Sequence, residues 1–129
     1  MNRHILETDN LKLTIEYIDV FLQVQVESPF FSVGVAQMLI DFNDFKKFYS
    51  DLNKLYNTLK GTSKIEDLHK DQYIEFKADK RGYIHIESCL KYSYYNNSNL
   101  YYKLNFEYSF EQTYLQKFVK GLISEYSST

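Results

Sequence analysis

The chain has 129 residues, a formal net charge of −2, 44% apolar and 25% charged residues, a composition that excludes global disorder and suits a soluble domain able to bury one core without metals or disulfides. Nucleic-acid binding needs clustered Lys and Arg, and the one basic run, Lys77-Ala78-Asp79-Lys80-Arg81, is interrupted by an acid and reads as a solvated hairpin turn. Cys89 is the only cysteine, the N-terminal stretch is polar and acidic rather than a signal peptide, and no apolar run is long enough to cross a membrane; a single-domain cytoplasmic protein is expected, with residues 1–10 and 127–129 as frayed ends.

Residues 11–17 alternate, with Leu11, Leu13, Ile15 and Tyr17 on one face, as a half-buried strand does. Residues 20–27 repeat the pattern, with Val20, Leu22, Val24 and Val26 facing in. Ile18-Asp19 is the short link of a hairpin. Ser28-Pro29 then interrupts, because Pro cannot donate to a ladder, and Phe31, Val33 and Val35 predict a third strand.

Asp41 is a good N-cap, and Asp44 suits the helix dipole. Phe42, Phe45, Phe48, Tyr49, Leu52, Leu55, Tyr56 and Leu59 follow at spacings of three and four, which predicts an amphipathic helix stopped by Gly61. A short strand is expected around Ile65. Ile74, Phe76 and Ala78 mark another strand, Asp79-Lys80-Arg81-Gly82 a turn, and residues 83–95 a long strand with even-numbered residues facing in. After Asn96-Asn97-Ser98-Asn99, the residues Leu100, Tyr102, Leu104, Phe106, Tyr108 and Phe110 hold one face.

Register follows from this alternation, because cross-strand neighbours point to the same side of a sheet. Even residues must oppose even residues. A three-residue loop, Asn97-Ser98-Asn99, then pairs Tyr94 with Tyr102, Tyr92 with Leu104 and Leu90 with Phe106, and sets Tyr95 opposite Tyr101 on the outer face. Ser109 with Gln112 three residues on reads as a capping box opening the last helix. Tyr114, Leu115, Phe118, Val119, Leu122, Ile123 and Tyr126 form its apolar face, and Gly121 within it allows close packing. The fold class expected is α+β: one twisted antiparallel sheet of six to seven strands, with two helices on its apolar face.

Catalytic signatures are absent from the pattern. His4, His69 and His85 show no zinc-ligand spacing, and the four glycines are too scattered for a phosphate loop. His85, Glu87 and Cys89 project from one side of a strand, but neighbours two apart lie roughly 7 Å from each other, so they read as a polar strand face. Glu66-Asp67 reads as a solvated loop pair. No cofactor and no metal are expected. The outward Tyr83, Tyr95 and Tyr101, with His85 and Glu87 on the same face, are the candidate partner-binding residues.

The order of the second half is distinctive. A helix ending in Leu59-Lys60-Gly61 is followed by a strand, by Asp79-Lys80-Arg81-Gly82-Tyr83-Ile84, by a Tyr-rich hairpin and by Glu111-Gln112-Thr113-Tyr114-Leu115. Over about residues 20–125 this resembles the WapI-like family of bacterial immunity proteins, with Glu111 where the family commonly has Asp. The resemblance implies a small, cytoplasmic, non-enzymatic protein that binds and neutralises a toxin domain by occlusion. Two other readings stand beside it: a module that self-associates as a homodimer through an exposed sheet edge and its tyrosines, and a small-ligand binder.

Overall fold

The computed structural model describes residues 3–32, 34–94 and 97–126. It contains two antiparallel sheets where one was expected. The first is built from β1 (His4–Glu7), β2 (Lys12–Ile18), β3 (Phe21–Ser28), β4 (Phe31–Ser32) and β5 (Ala36–Leu39). The helix α1 (Phe42–Thr58) follows. The second sheet runs in chain order through β6 (Thr62–Glu66), β7 (Tyr73–Ala78), β8 (Tyr83–Tyr94) and β9 (Asn97–Glu111). A 3₁₀ turn (Gln112–Leu115) leads into α2 (Gln116–Tyr126).

The reason for two sheets lies at the outer edge of β5. There the Leu68 N–H donates to the Leu39 carbonyl at 3.0 Å, and Gln72 Nε2 donates to the Gln37 carbonyl at 2.9 Å. The loop between β6 and β7 therefore takes the hydrogen-bonding groups that a sixth ladder strand would have used. The apolar faces of both sheets meet the two helices in one cluster, in which Phe48 contacts Phe76, Phe76 contacts Phe118, and Phe45 contacts Tyr126.

β2 and β3 pair as the alternation predicts, Leu13 with Val26 and Ile15 with Val24. Val20 does not face in; it sits in the turn after Asp19, which takes the left-handed φ of 58°, and is 48% exposed. The third-strand phase is also corrected. Phe31 pairs with Ser28, but a one-residue slip before β5 puts Ala36, Met38 and Ile40 in the core and leaves Val35 exposed; Val33 lies outside the described residues. Within the N-terminal stretch His4–Glu7 form β1, paired with β2 and burying Leu6 completely; residues 1–2 lie outside the described residues. Residues 127–129 lie outside the described residues.

Asp41 caps α1, accepting from the Asn43 N–H at 3.0 Å, and Phe45, Phe48, Tyr49, Leu52 and Leu55 are its buried stripe. Leu59 adopts the left-handed conformation that ends the helix, and Gly61 follows with a φ of 88°. The expected capping box at Ser109 does not form. The ladder with β8 continues to Glu111, so the Ser109 backbone is committed to the sheet, and its hydroxyl meets His85 Nδ1 instead. Gly121 packs closely, as expected: a β-carbon there would lie 2.9 Å from His4 Nδ1.

The parity argument for the long hairpin holds from Ile84 to Tyr92, where even residues oppose even residues, and breaks at Tyr94, which opposes Asn97. The specific pairs do not hold. Tyr92 opposes Tyr102 and Leu90 opposes Leu104, two residues away from the expected register. An irregularity at Ser93 and Tyr94 absorbs the difference, because Tyr94 then opposes Asn97 and the expected loop residues belong to β9. Tyr101 opposes Ser93, not Tyr95; Tyr95 itself lies outside the described residues.

Candidate functional site

The outer face of the second sheet carries the candidate partner-binding residues. Both helices pack on the opposite, apolar side, so among the described residues no helix covers this face. Its side chains form rows across the strands. Glu75 opposes Glu87 and Glu87 opposes Glu107, giving three carboxylates side by side over β7, β8 and β9. On one side of this row stand Lys77, His85 and Ser109, and on the other Tyr73, Cys89 and Asn105. Like charges directly opposite one another destabilise a sheet, so the row works against the stability of the fold.

Partial relief comes from neighbours. Tyr73 donates its hydroxyl proton to Glu87 Oε1. That bond, with desolvation and the nearby carboxylates, pushes the Tyr73 hydroxyl up to about 12. Lys77 Nζ lies 4.0 Å from Glu75 Oε1. Glu107 has no ion pair among the described residues. Glu75, His85, Glu87 and Glu107 help line a shallow hollow of about 230 Å³.

His85, Glu87 and Cys89 do not engage one another. His85 Nε2 meets Asp79 Oδ2 at 2.9 Å and its Nδ1 meets Ser109; the set is satisfied when Nε2–H donates to the carboxylate and the Ser109 hydroxyl donates to Nδ1. The His85 bond, reinforced by the Arg81 and Tyr83 main-chain N–H groups, holds the Asp79 carboxyl down at about 2. The Cys89 thiol faces the Asp71 carbonyl at 3.8 Å. Among the described residues no group of three His, Cys, Asp or Glu side chains could hold a metal ion.

The two described tyrosines of the candidate set stand apart. Tyr83 opposes Glu111 near one end of the face, and Tyr101 opposes Ser93 near the other, ten positions along β8 or roughly 33 Å at strand rise. They are 46% and 45% exposed. Lys91 Nζ lies 4.4 Å from the Tyr101 ring centroid and 3.3 Å from Asp71 Oδ2, so one cation holds the ring and a carboxylate together. Glu75, Glu107, Tyr73 and Lys91 were missed from the sequence. The odd–odd pairing implied by the even–even core rule was the signal that could have found the glutamates.

A second hollow, of about 400 Å³, lies at the seam between the sheets. The side chains of Asp67, Asp71, Gln72 and Lys91 on its wall are engaged with one another or with main-chain groups. Asp67 accepts from the main-chain N–H groups of Asp71 and Gln72, Gln72 spans the seam, and Lys91 pairs with Asp71. These bonds make this part of the wall a structural joint between the sheets. Among the described residues no helix is long and apolar enough to cross a membrane.

Comparison with curated proteins returned no match, and comparison with solved structures returned none. The family model of the immunity protein WapI-like family matches residues 12–128, nearly the whole chain, and the protein belongs to that family.

Proposed function

We propose that this protein neutralises a cognate bacterial toxin domain by occlusion, acting in the cytoplasm without catalysis and seating the toxin on the outer face of its second sheet. The immunity family supports the toxin-neutralising role. The observation that carries the choice of face is the Glu75–Glu87–Glu107 row. Among the described residues no helix covers it, it is only partly neutralised, and it is placed where it opposes folding. A basic toxin surface would turn that repulsion into attraction and steer the encounter. Tyr83 and Tyr101 at the two ends supply ring area for contacts that do not depend on charge.

The test is calorimetric titration of the toxin domain encoded directly upstream against the wild-type protein and against a Glu75→Gln/Glu87→Gln/Glu107→Gln variant. Tight binding by the wild type, at least tenfold weaker in the variant (about 1.4 kcal/mol) and steeply salt-dependent, is expected. A wild type that binds no neighbouring toxin domain removes the immunity reading. Unchanged affinity in the folded variant removes this face.

A further inference from the structure

Strand β9 closes one side of the second sheet, and among the described residues its far edge has no strand beside it. The hydrogen-bond phase identifies what that edge offers. The Gln112 N–H donates to the Gly82 carbonyl at 3.0 Å, and this pair continues the even–even ladder of β8 and β9. Even residues of β9 therefore exchange hydrogen bonds with β8. Odd residues, Tyr101, Lys103, Asn105, Glu107 and Ser109, direct their N–H and C=O groups outward. Unpaired edges of this length invite another strand.

We propose that β9 pairs antiparallel with β9 of a second copy, about a two-fold axis at Asn105, to form a homodimer with a continuous sheet. The register follows from charge. With Asn105 opposite itself, Lys103 of each copy faces Glu107 of the other, giving two attractive pairs in one short ladder. Moving the axis to Lys103 sets lysine against lysine, and moving it to Glu107 sets glutamate against glutamate; both are disfavoured. The odd–odd pairs of the Asn105 register are also the pairs whose main-chain groups are free.

Packing points the same way. On the core side of β9, Leu104, Phe106 and Tyr108 are only partly buried, and Tyr102 is 64% exposed. In this register Leu104 meets Phe106 of the other copy and Tyr102 meets Tyr108, so apolar surface left over at the edge is covered. Antiparallel pairing keeps side chains of opposed residues on one side, so the two glutamate rows lie on the same face of the joined sheet and stay open. The dimer stands whether or not the toxin reading does, because it is tested without a toxin.

The experiment is light scattering during gel filtration of the full chain across a concentration series, with circular dichroism to check folding. The wild type should run at twice the 15.5 kDa of one chain. Glu107→Lys places lysine against Lys103 of the other copy and should run as a monomer. Its own fold is not put at risk, because Lys at that position faces Glu87 across β8. The double change Lys103→Glu/Glu107→Lys restores opposite charges and should restore the dimer. In a Cys89→Ser background, needed because Cys89 opposes Asn105 within the chain, Asn105→Cys should give a disulfide-linked dimer on oxidation. Hydrogen-bonded antiparallel partners sit roughly 5.5 Å apart, within disulfide reach. A wild type that is monomeric at every concentration overturns the proposal. A Glu107→Lys variant that stays dimeric, a double variant that stays monomeric, or no cross-link at position 105 overturns the register.

Discussion

Gln72 and Gln37 join the two sheets without a ladder between them: Gln72 Nε2 donates to the Gln37 carbonyl at 2.9 Å, while its Oε1 accepts the Lys91 main-chain N–H at 3.0 Å. One buried amide thus satisfies β5 in the first sheet and β8 in the second. Gln72→Leu keeps roughly the same volume but leaves a carbonyl and an N–H unpaired at the seam. Each such loss costs about 1–3 kcal/mol, so urea unfolding should show a stability loss of about 3 kcal/mol. Gln72→Glu should also destabilise the fold at neutral pH, because Nε2 lies 3.4 Å from Asp67 Oδ2 and the variant would set carboxylate against carboxylate.

Gly121 and His4 are expected to show coupling of opposite sign. His4 is buried under α2, with Nε2 3.0 Å from Glu125 Oε1 and its ring beside Tyr126. Gly121→Ala improves helix propensity by about 1 kcal/mol, but the new methyl would press on a ring that is held in place. In the wild type the substitution should therefore destabilise, by about 1 kcal/mol. In a His4→Ala background the same substitution should stabilise by about 1 kcal/mol. A double-mutant cycle in urea measures the reversal.

Glu87 should trade stability against binding. Glu87→Gln removes the central charge of the row, relieving repulsion toward both Glu75 and Glu107. The unbound protein should gain about 0.5 kcal/mol while its affinity for the toxin domain falls. The amide oxygen still accepts from Tyr73, but without a negative charge the Tyr73 hydroxyl should titrate closer to its ordinary value of 10.0 than to about 12. Ultraviolet titration of the phenolate, denaturation and calorimetry read the three effects separately.

Asp79 should make the hairpin turn acid-sensitive. Its carboxyl is held at about 2 against an ordinary 3.8, chiefly by His85. A carboxyl lowered by folding contributes stability that is present above its unfolded value and lost as pH falls through the folded one. The contribution should be intact above about pH 4 and decline toward about pH 2. Asp79→Asn should lower stability at neutral pH and flatten the profile in that window. Carboxyl-carbon chemical shifts across an acid titration check the site directly.

Much of the local structure was legible from the chain. The spacing of Phe45, Phe48, Tyr49, Leu52 and Leu55 identified α1 and its buried face, Asp41 identified its start, and alternation identified β2, β3, β7 and β8. These depend on neighbours along the sequence, where period and capping chemistry act directly. His85 and Glu87 could be placed on an outer face for the same reason. Their partners could not, because Asp79, Ser109 and Tyr73 reach them only once a register is chosen.

By itself, the sequence determined the α+β class, the parity of the long hairpin and the kinship with the immunity family. The tertiary structure decided that there are two sheets, because whether β5 receives a strand or the 67–72 loop depends on groups far apart in the chain. It decided the phase of β5, through a slip of one residue that alternation cannot anticipate. It also set Glu75 and Glu107 beside Glu87, on the same face as the candidate residues Tyr83, His85 and Tyr101. Tyr83 and Tyr101 stand out in composition, whereas Glu75, Glu87 and Glu107 become a single feature only when three strands lie side by side.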